Sequence, residues 1–340
     1  MRILIVTQTL DSQDSNLGFF HRWVEEFSKH CESVIVICLQ EGEYQLPENV
    51  RIYSLGKESG RKNSFIYAWH FLKLITKLRK QYNAVFVHMN PEYVVLGGIF
   101  WKIWCKRIGL WYVHRKVDFK LRVAAVFADV IFTASKESFR LKSSKVKIVG
   151  HGIEVENFSS TEPGNQNRAV TVGRISRSKN LEILLDAVAL VPEISLDIYG
   201  ATHTPDDRDY LAELERRVNE LGIHERVLFA GVVPHQNIPE LLSSYRLFLH
   251  ASGTGSLDKA GLESMAAGGP VISSSEAFEE ILKPYGLFVK NGTAENFAGA
   301  IEKFGKRGDR EAVAAQLRRE VSENHSLTKL IPKILSAYQK

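Results

Sequence analysis

The sequence predicts an α/β protein made of two Rossmann-like, doubly wound domains. Three observations predict it. Short apolar runs alternate with stretches of helical period along almost the whole chain. The runs are apolar nearly without interruption, as strands buried on both faces of a parallel sheet must be. A turn-rich break near the middle separates two such series, and 340 residues suit two domains of ordinary size.

The first series opens with a strand at 3–6 and a helix over 19–29, where Phe20, Trp23, Val24 and Phe27 recur three and four apart. Strands follow at 34–39 and 49–55, a helix over 65–80, a strand at 84–88 and an apolar helix from Tyr93. A strand at 110–113, a short helix over 121–127 and strands at 130–134 and 146–149 complete it. Ligands of such sheets bind beyond the carboxyl ends of the strands, which makes 7–18, 88–91 and 114–118 the informative segments. The first holds Asn16 and Gly18 just before a helix, a weak anion signal. It lacks G-x-G-x-x-G, which argues against a dinucleotide. His88 and His114 each follow a strand and read either as a base or orienting donor in a polar cleft, or as structural histidines.

Residues 151–166 carry the densest turn chemistry, including Ser159-Ser160-Thr161 and Pro163-Gly164-Asn165, and set the expected boundary at 160/161. The second series has strands at 168–172, 196–199, 227–230, 246–250, 271–272 and 286–289. Helices are expected over 181–191, 209–221 and 238–244. A final amphipathic helix starts at Ser326, with Leu330, Ile334, Leu335 and Tyr338 on one face.

The most informative stretch is 251–272. Five small or hydroxylated residues, Ser252 to Ser256, lead into a helix over 262–267 that Gly268-Gly269-Pro270 ends. Loop glycines allow a ligand close to the backbone, and Glu263 is expected in the helix's first turn, able to accept from a ligand hydroxyl. Arg174 and Lys179 flank the loop after the 168–172 strand; a guanidinium fork plus a mobile ammonium fits a diphosphate. The ligand class is therefore both phosphorylated and hydroxylated. The plainer alternative is an ordinary αβ unit with surface cations.

Composition narrows the class. Hydrophobic residues make up 44% and charged residues 24%, which describes a globular chain and not a disordered one. Cys31, Cys38 and Cys105 have no paired spacing and read as reduced thiols, neither a disulfide frame nor a zinc site. The apolar start is too short for a signal peptide, and no apolar run is long enough to span a bilayer, so a cytoplasmic location is expected. Residues 1–165 carry 23 Lys and Arg against 16 Asp and Glu, a balance of +7, whereas the rest balances to −2. The excess lies at Arg61-Lys62 and in 70–80 and 100–107, where cations interleave with aromatics. That pattern suits peripheral contact with an anionic membrane, or two amphipathic helices with solvated lysines. No nucleic-acid motif is present.

These pieces match a family. Val172-Gly173-Arg174 with Lys179, the 149–154 run V-G-H-G-I-E with Phe158, the 227–231 run V-L-F-A-G, the 261–272 run G-L-E-S-M-A-A-G-G-P-V-I and the 286–289 run G-L-F-V carry the likeness. The chain resembles the retaining nucleotide-sugar glycosyltransferases of family 4. The resemblance implies the GT-B fold, two facing Rossmann-like doubly wound domains with a cleft between them, and a last helix (326–340) packing back on the first domain. Residues 1–160 would form the acceptor side and 161–325 the donor side, with the linker near 154–166 as a hinge.

The resemblance also implies roles. Arg174 and Lys179 would neutralise the leaving diphosphate of a UDP- or GDP-sugar, and Glu263 would hold its ribose. Gly173, Gly200, Gly231, Val232, Val233 and Leu262 would belong to the donor-binding pocket. Gly18 would close from the other domain, and Asn16, His88 and His114 would face a glycan or lipid-linked acceptor, His114 also approaching the donor sugar. No metal or other cofactor is expected. One departure stands out: the family has a second glutamate eight positions before Glu263, where this chain has Gly255 in the run Gly255-Ser256-Leu257-Asp258-Lys259. Asp258 or Lys259 takes over its contact, or the donor differs, or catalysis is lost. The readings left open are a glycosyltransferase, a nucleotide-sugar epimerase of similar build, and a non-catalytic nucleotide-sugar-binding or scaffold protein.

Overall fold

The computed structural model describes residues 1–14, 17–60, 63–158 and 167–339. It divides into two compact units. Unit 1 is Met1–Gly152 with Leu327–Lys340, and unit 2 is Ile153–Ser326, so the division falls at 152/153 and not at 160/161. Residues 159–166, the core of the expected linker, lie outside the described residues, as do Arg61 and Lys62.

In unit 1 the order is β1 (Arg2–Leu10), α1 (Phe19–His30), β2 (Ser33–Glu41), β3 (Val50–Ser54), α2 (Ser64–Leu78), β4 (Ala84–His88), α3 (Pro91–Ile103), β5 (Arg107–Trp111), α4 (Phe119–Phe127), β6 (Val130–Thr133) and β7 (Val146–Ile148). The strands form one parallel sheet in the order β3-β2-β1-β4-β5-β6-β7. The strand cores, such as Ile3 to Val6 and Val85 to Val87, are fully buried, which is why they read as unbroken apolar runs. One apolar layer packs Trp23, Phe27 and Phe86 on one face of the sheet, and the other packs Phe71, Ile75 and Trp101 on the opposite face.

Local chemistry moves several boundaries. Pro91 takes the first position of α3, where its fixed φ and missing N–H do no harm, so the helix starts before Tyr93. β5 begins at Arg107 and ends at Trp111, so His114 stands in a loop three residues past the strand instead of at its end.

Unit 2 runs β8 (Arg168–Val172), α5 (Leu181–Leu190), β9 (Ser195–Tyr199), α6 (Pro205–Glu220), β10 (Val227–Gly231), α7 (Ile238–Ser243), β11 (Leu247–His250), α8 (Lys259–Ala266), β12 (Val271–Ser273), α9 (Glu279–Leu282), α10 (Ala294–Gly305) and α11 (Arg310–Asn324). Its parallel sheet has the order β10-β9-β8-β11-β12. α6 starts four residues earlier than the periodicity indicates, because Thr204 and Asp207 form a reciprocal capping box. The strand expected at 286–289 is reduced to a single bridge between Ser273 and Phe288.

The chain then returns to unit 1 as α12 (Leu327–Ser336). Leu330, Ile331 and Ile334 are at most 1% exposed and join the apolar layer of Trp23 and Phe132. The Tyr338 hydroxyl donates to the Val85 carbonyl at 2.8 Å. Burying each of these aliphatic side chains contributes about 1.5–3 kcal/mol, which fixes the helix to the sheet.

Candidate functional site in unit 2

The sheet of unit 2 changes direction at β8. From it the chain steps to β9 and β10 on one side, then crosses to β11 and β12 on the other. Loops leaving β8 and β11 therefore diverge at the carboxyl edge, the place where open α/β sheets take ligands.

Three glycines finish the strand ends here. The Gly173 amide donates to the Tyr199 carbonyl at 2.9 Å, and the Gly200 amide to the Gly231 carbonyl at 2.8 Å. A Cβ on Gly200 would lie 1.8 Å from the Gly173 carbonyl oxygen, so no side chain fits there. Val232, just beyond, is exposed, and Val233 is half-buried.

The two loops are stitched together. The Asn180 side chain donates to the Ala251 carbonyl at 3.0 Å, and the Gly253 amide to the Ser178 carbonyl at 3.0 Å. The Lys179 ammonium lies over Gly173 and forms an ion pair with Asp258. Asp258 also caps α8 by accepting from the Ala260 amide at 3.1 Å, and its other oxygen sits 3.2 Å from His250 Nε2. Burial works to raise the Asp258 carboxyl, but Lys179 and His250 outweigh it and hold it well below the usual carboxylate range. His250 is fixed in turn by Ser273 Oγ, 2.8 Å from its Nδ1.

Because Asp258 starts α8 at Lys259, Glu263 lies beyond the first turn, and the helix start is not what favours its charge. Its partners are Lys259 at 3.4 Å and His235 at 3.5 Å. Burial again works against the charge, but Lys259 and the His235 ring outweigh it and leave the Glu263 carboxyl below its ordinary value. Arg174 is half-exposed and pairs with Asp207 at 3.4 Å. Each expected cation thus has a carboxylate partner already. The edge is a set of charge pairs that a polyanion would share or displace, and not a bare basic cradle.

Gly255, where the resemblance implied a glutamate, has φ 62°, a left-handed conformation that a longer side chain takes only with strain. Ser256 is half-buried, and Leu257 and Leu262 are buried beneath the loop. Periodicity and spacing did not reveal His250, His235 or Asp207 as partners, since they come from other elements. The T-P-D-D start of α6 is the one signal that could have pointed to Asp207.

The remaining expected residues belong to unit 1. Asn16 lies outside the described residues. Gly18 starts α1, and a Cβ there would stand 2.6 Å from the Asp14 carbonyl oxygen, so packing within its own loop already requires glycine. His88 is 2% exposed and stacked on Phe20 with centroids 4.1 Å apart, which leaves it almost no surface for an acceptor. Burial, with His151 adding repulsion, holds its pKa down at about 3, so the ring is neutral. His114 is exposed, and its Nδ1 accepts from the Lys116 amide at 3.3 Å. A cavity of about 560 Å³ opens at the opposite, amino ends of the strands of unit 2, between Ile194, Arg246, Leu247 and Pro270, away from all these groups. Among the described residues no cluster of three or more His, Cys, Asp or Glu stands ready for a metal ion.

The sequence profile of the family Glycosyl transferases group 1 matches residues 152–325, the stretch that holds this edge. The chain belongs to that family. Among curated relatives of this group 1 chain, the mannosylfructose-phosphate synthase of Agrobacterium fabrum is 21% identical over 177 residues, 47% of this chain and 38% of the relative. The lipopolysaccharide core biosynthesis glycosyltransferase LpsE of Rhizobium meliloti is 31% identical over 157 residues, 45% of this chain and 44% of the relative. The chain thus spans under half the length of these two relatives. Two solved structures share the fold over nearly their full length. Anabaena HepE in complex with UDP and glucose has a TM-score of 0.77 at 17% identity, covering 100% of both chains. The sucrose-phosphate synthase of Thermosynechococcus elongatus has a TM-score of 0.80 at 15% identity, covering 100% of this chain and 98% of its own.

Proposed function

We propose that the chain transfers a sugar from a nucleoside-diphosphate donor to a hydroxyl acceptor, with retention at the anomeric carbon and without a metal. The observation that carries this reading is the joined edge of β8 and β11. Arg174 and Lys179 follow β8, while Asp258 and Glu263 sit at and beyond the start of α8, with Lys179 paired to Asp258.

In the proposed reaction the bond from the anomeric carbon to the diphosphate breaks, and its electron pair leaves with the phosphate. The acceptor oxygen bonds to the same carbon on the face the diphosphate vacates, and the acceptor proton passes to the departing phosphate oxygen. Lys179 and Arg174 would stabilise the growing phosphate charge, work that a metal does elsewhere. Glu263, kept ionised by Lys259 and His235, would accept from the ribose hydroxyls. The donor is a UDP- or GDP-sugar; UDP-glucose is the first to test, because the HepE structures hold UDP, glucose or UDP-glucose. The acceptor is a glycan or lipid-linked sugar, which would put the protein at the inner face of a membrane.

A second reading, binding without transfer, has one observation in its favour: Gly255, where the resemblance implies a glutamate, carries no side chain and has φ 62°.

The test is a thermal-shift panel of UDP-, GDP-, ADP- and TDP-sugars, each with and without a chelator. A ligand at a hundred times its Kd adds about 2.7 kcal/mol, enough to move the midpoint clearly. Stabilisation by one nucleotide class, insensitive to chelator, supports the donor site. Slow release of free nucleoside diphosphate from that donor then separates transfer from mere binding. Silence across the whole panel overturns both readings.

A further inference from the structure

We propose that the face of unit 1 formed by α2, α3 and α4 docks on an anionic lipid bilayer. The three helices are neighbours on one side of the sheet, α2 against α3 and α3 against α4, over the apolar layer of Phe71, Ile75 and Trp101. Their inward faces are well packed. Their outward faces are not polar. Phe65 and Trp69 on α2, Ile99 and Ile103 on α3, and Phe119 and Val126 on α4 are between 53% and 87% exposed. Scattered exposed apolar residues are ordinary; six large ones on three adjacent helices form a surface that water does not favour.

Charge identifies the occupant. Residues 63–127 carry eleven Lys and Arg against two carboxylates, a balance of +9. Both carboxylates are engaged: Glu92 pairs with Lys120 at 3.0 Å, and Asp118 caps α4. Phe65, Trp69 and Lys73 follow at four-residue spacing along α2, so they share one stripe. The Lys73 ammonium lies over the exposed Trp69 ring, 5.1 Å from its centroid, a cation–π contact that keeps cation and aromatic together on this face. Lys77, Arg79 and Lys80, all exposed, continue the cations past the end of the apolar part. Aromatic rings flanked by long cations suit the boundary between acyl chains and anionic headgroups. A second copy of this chain on the same patch would set like charge against like charge. No helix among the described residues is long and apolar enough to cross a membrane, so the contact is one of lying on the surface.

Crossover helices run antiparallel to the strands they join. The first turns of α2 and α4, with Phe65 and Phe119, therefore sit at the carboxyl edge of the sheet, the edge where a lipid-borne hydroxyl would be met, with Trp69 one turn behind. The docking itself does not rest on the transfer reading and holds whether or not the chain turns over a donor.

The test is flotation with vesicles of phosphatidylcholine alone and of phosphatidylcholine with phosphatidylglycerol, at physiological ionic strength. The intact chain is expected to float with the anionic vesicles and to stay behind with the neutral ones. Lys73→Gln/Lys77→Gln/Lys80→Gln should lower partitioning roughly a hundredfold, at about fivefold per cation. Phe65→Ser/Trp69→Ser should lose binding at all salt concentrations, and tryptophan emission should shift to the blue when the intact chain meets anionic vesicles but not when the Phe65→Ser/Trp69→Ser variant does. All substituted side chains are exposed, so the melting midpoint and donor binding should stay put, which separates failure of the docking from failure of the donor reading. No flotation, equal flotation with neutral vesicles, or flotation unchanged by these substitutions overturns the proposal. So does a lipid-free dimer that Phe65→Ser/Trp69→Ser dissolves, since it assigns the face to a second copy of the chain.

Discussion

Lys179 and Asp258 stand 79 positions apart and form one ion pair, which fastens the loop after β8 to the first residue of the α8 cap. Both ends of that contact have further work. Asp258 holds the helix start and faces His250, and the Lys179 side chain covers Gly173. The pair therefore couples the stability of unit 2 to the charge that Lys179 would offer a phosphate in the proposed reaction.

Lys179→Ala tests that coupling in two ways. Turnover of the preferred donor is expected to fall by at least roughly two orders of magnitude, as for loss of a positioned charge stabiliser. The variant should also lose about 1–3 kcal/mol of stability, because the half-buried Asp258 keeps its charge with His250 left opposite it. Near-normal turnover in steady-state assays would remove Lys179 from the proposed chemistry.

Asp258 carries a pH signature. Its carboxyl is held well below the ordinary 3.8, so the unfolded chain takes up the proton first as pH falls. Its stabilisation is complete above the unfolded value and disappears as pH drops through the folded one. Melting midpoints from neutral pH down through the carboxylate range should fall more steeply for the intact chain than for Asp258→Asn. If Asp258 also stands in for the missing glutamate, Asp258→Ala should flatten the preference among donor sugars; an unchanged ranking in competition assays rules that role out.

His88 predicts a different window. Its folded value is about 3 against an ordinary 6.5, so between these values the unfolded chain holds a proton that the folded chain lacks. Stability is then complete above 6.5 and declines as pH falls towards 3, with a slope of up to about 1.4 kcal/mol per pH unit. His88→Phe, which keeps a ring against Phe20, should abolish that slope in denaturant titrations across the window.

Two glycines should respond in opposite ways to the same change. Gly255→Ala forces a Cβ into a left-handed position and should cost about 1–2 kcal/mol. Gly299→Ala, within α10 and with open space around it, should stabilise by about 0.5–1 kcal/mol. Equal shifts in midpoint for the two would contradict the backbone assignment at 255.

The sequence by itself determined the two parallel sheets, because strands buried on both faces must be apolar throughout, and that pattern is local. β4, β8 and the apolar stripe of α1 were legible to the residue, and so was the presence of Arg174 and Lys179 in the loop after β8. Tertiary structure decided what those residues do to one another. It gave Lys179 to Asp258, Lys259 and His235 to Glu263, and Asp207 to Arg174, pairings between loops that no local period encodes. It also buried His88, the last residue of β4, while leaving His114 exposed in the loop beyond β5. The physical reason is range. Backbone pattern depends on neighbours a few residues away, whereas the charge state of a side chain depends on burial and on partners that only the folded sheet brings within reach.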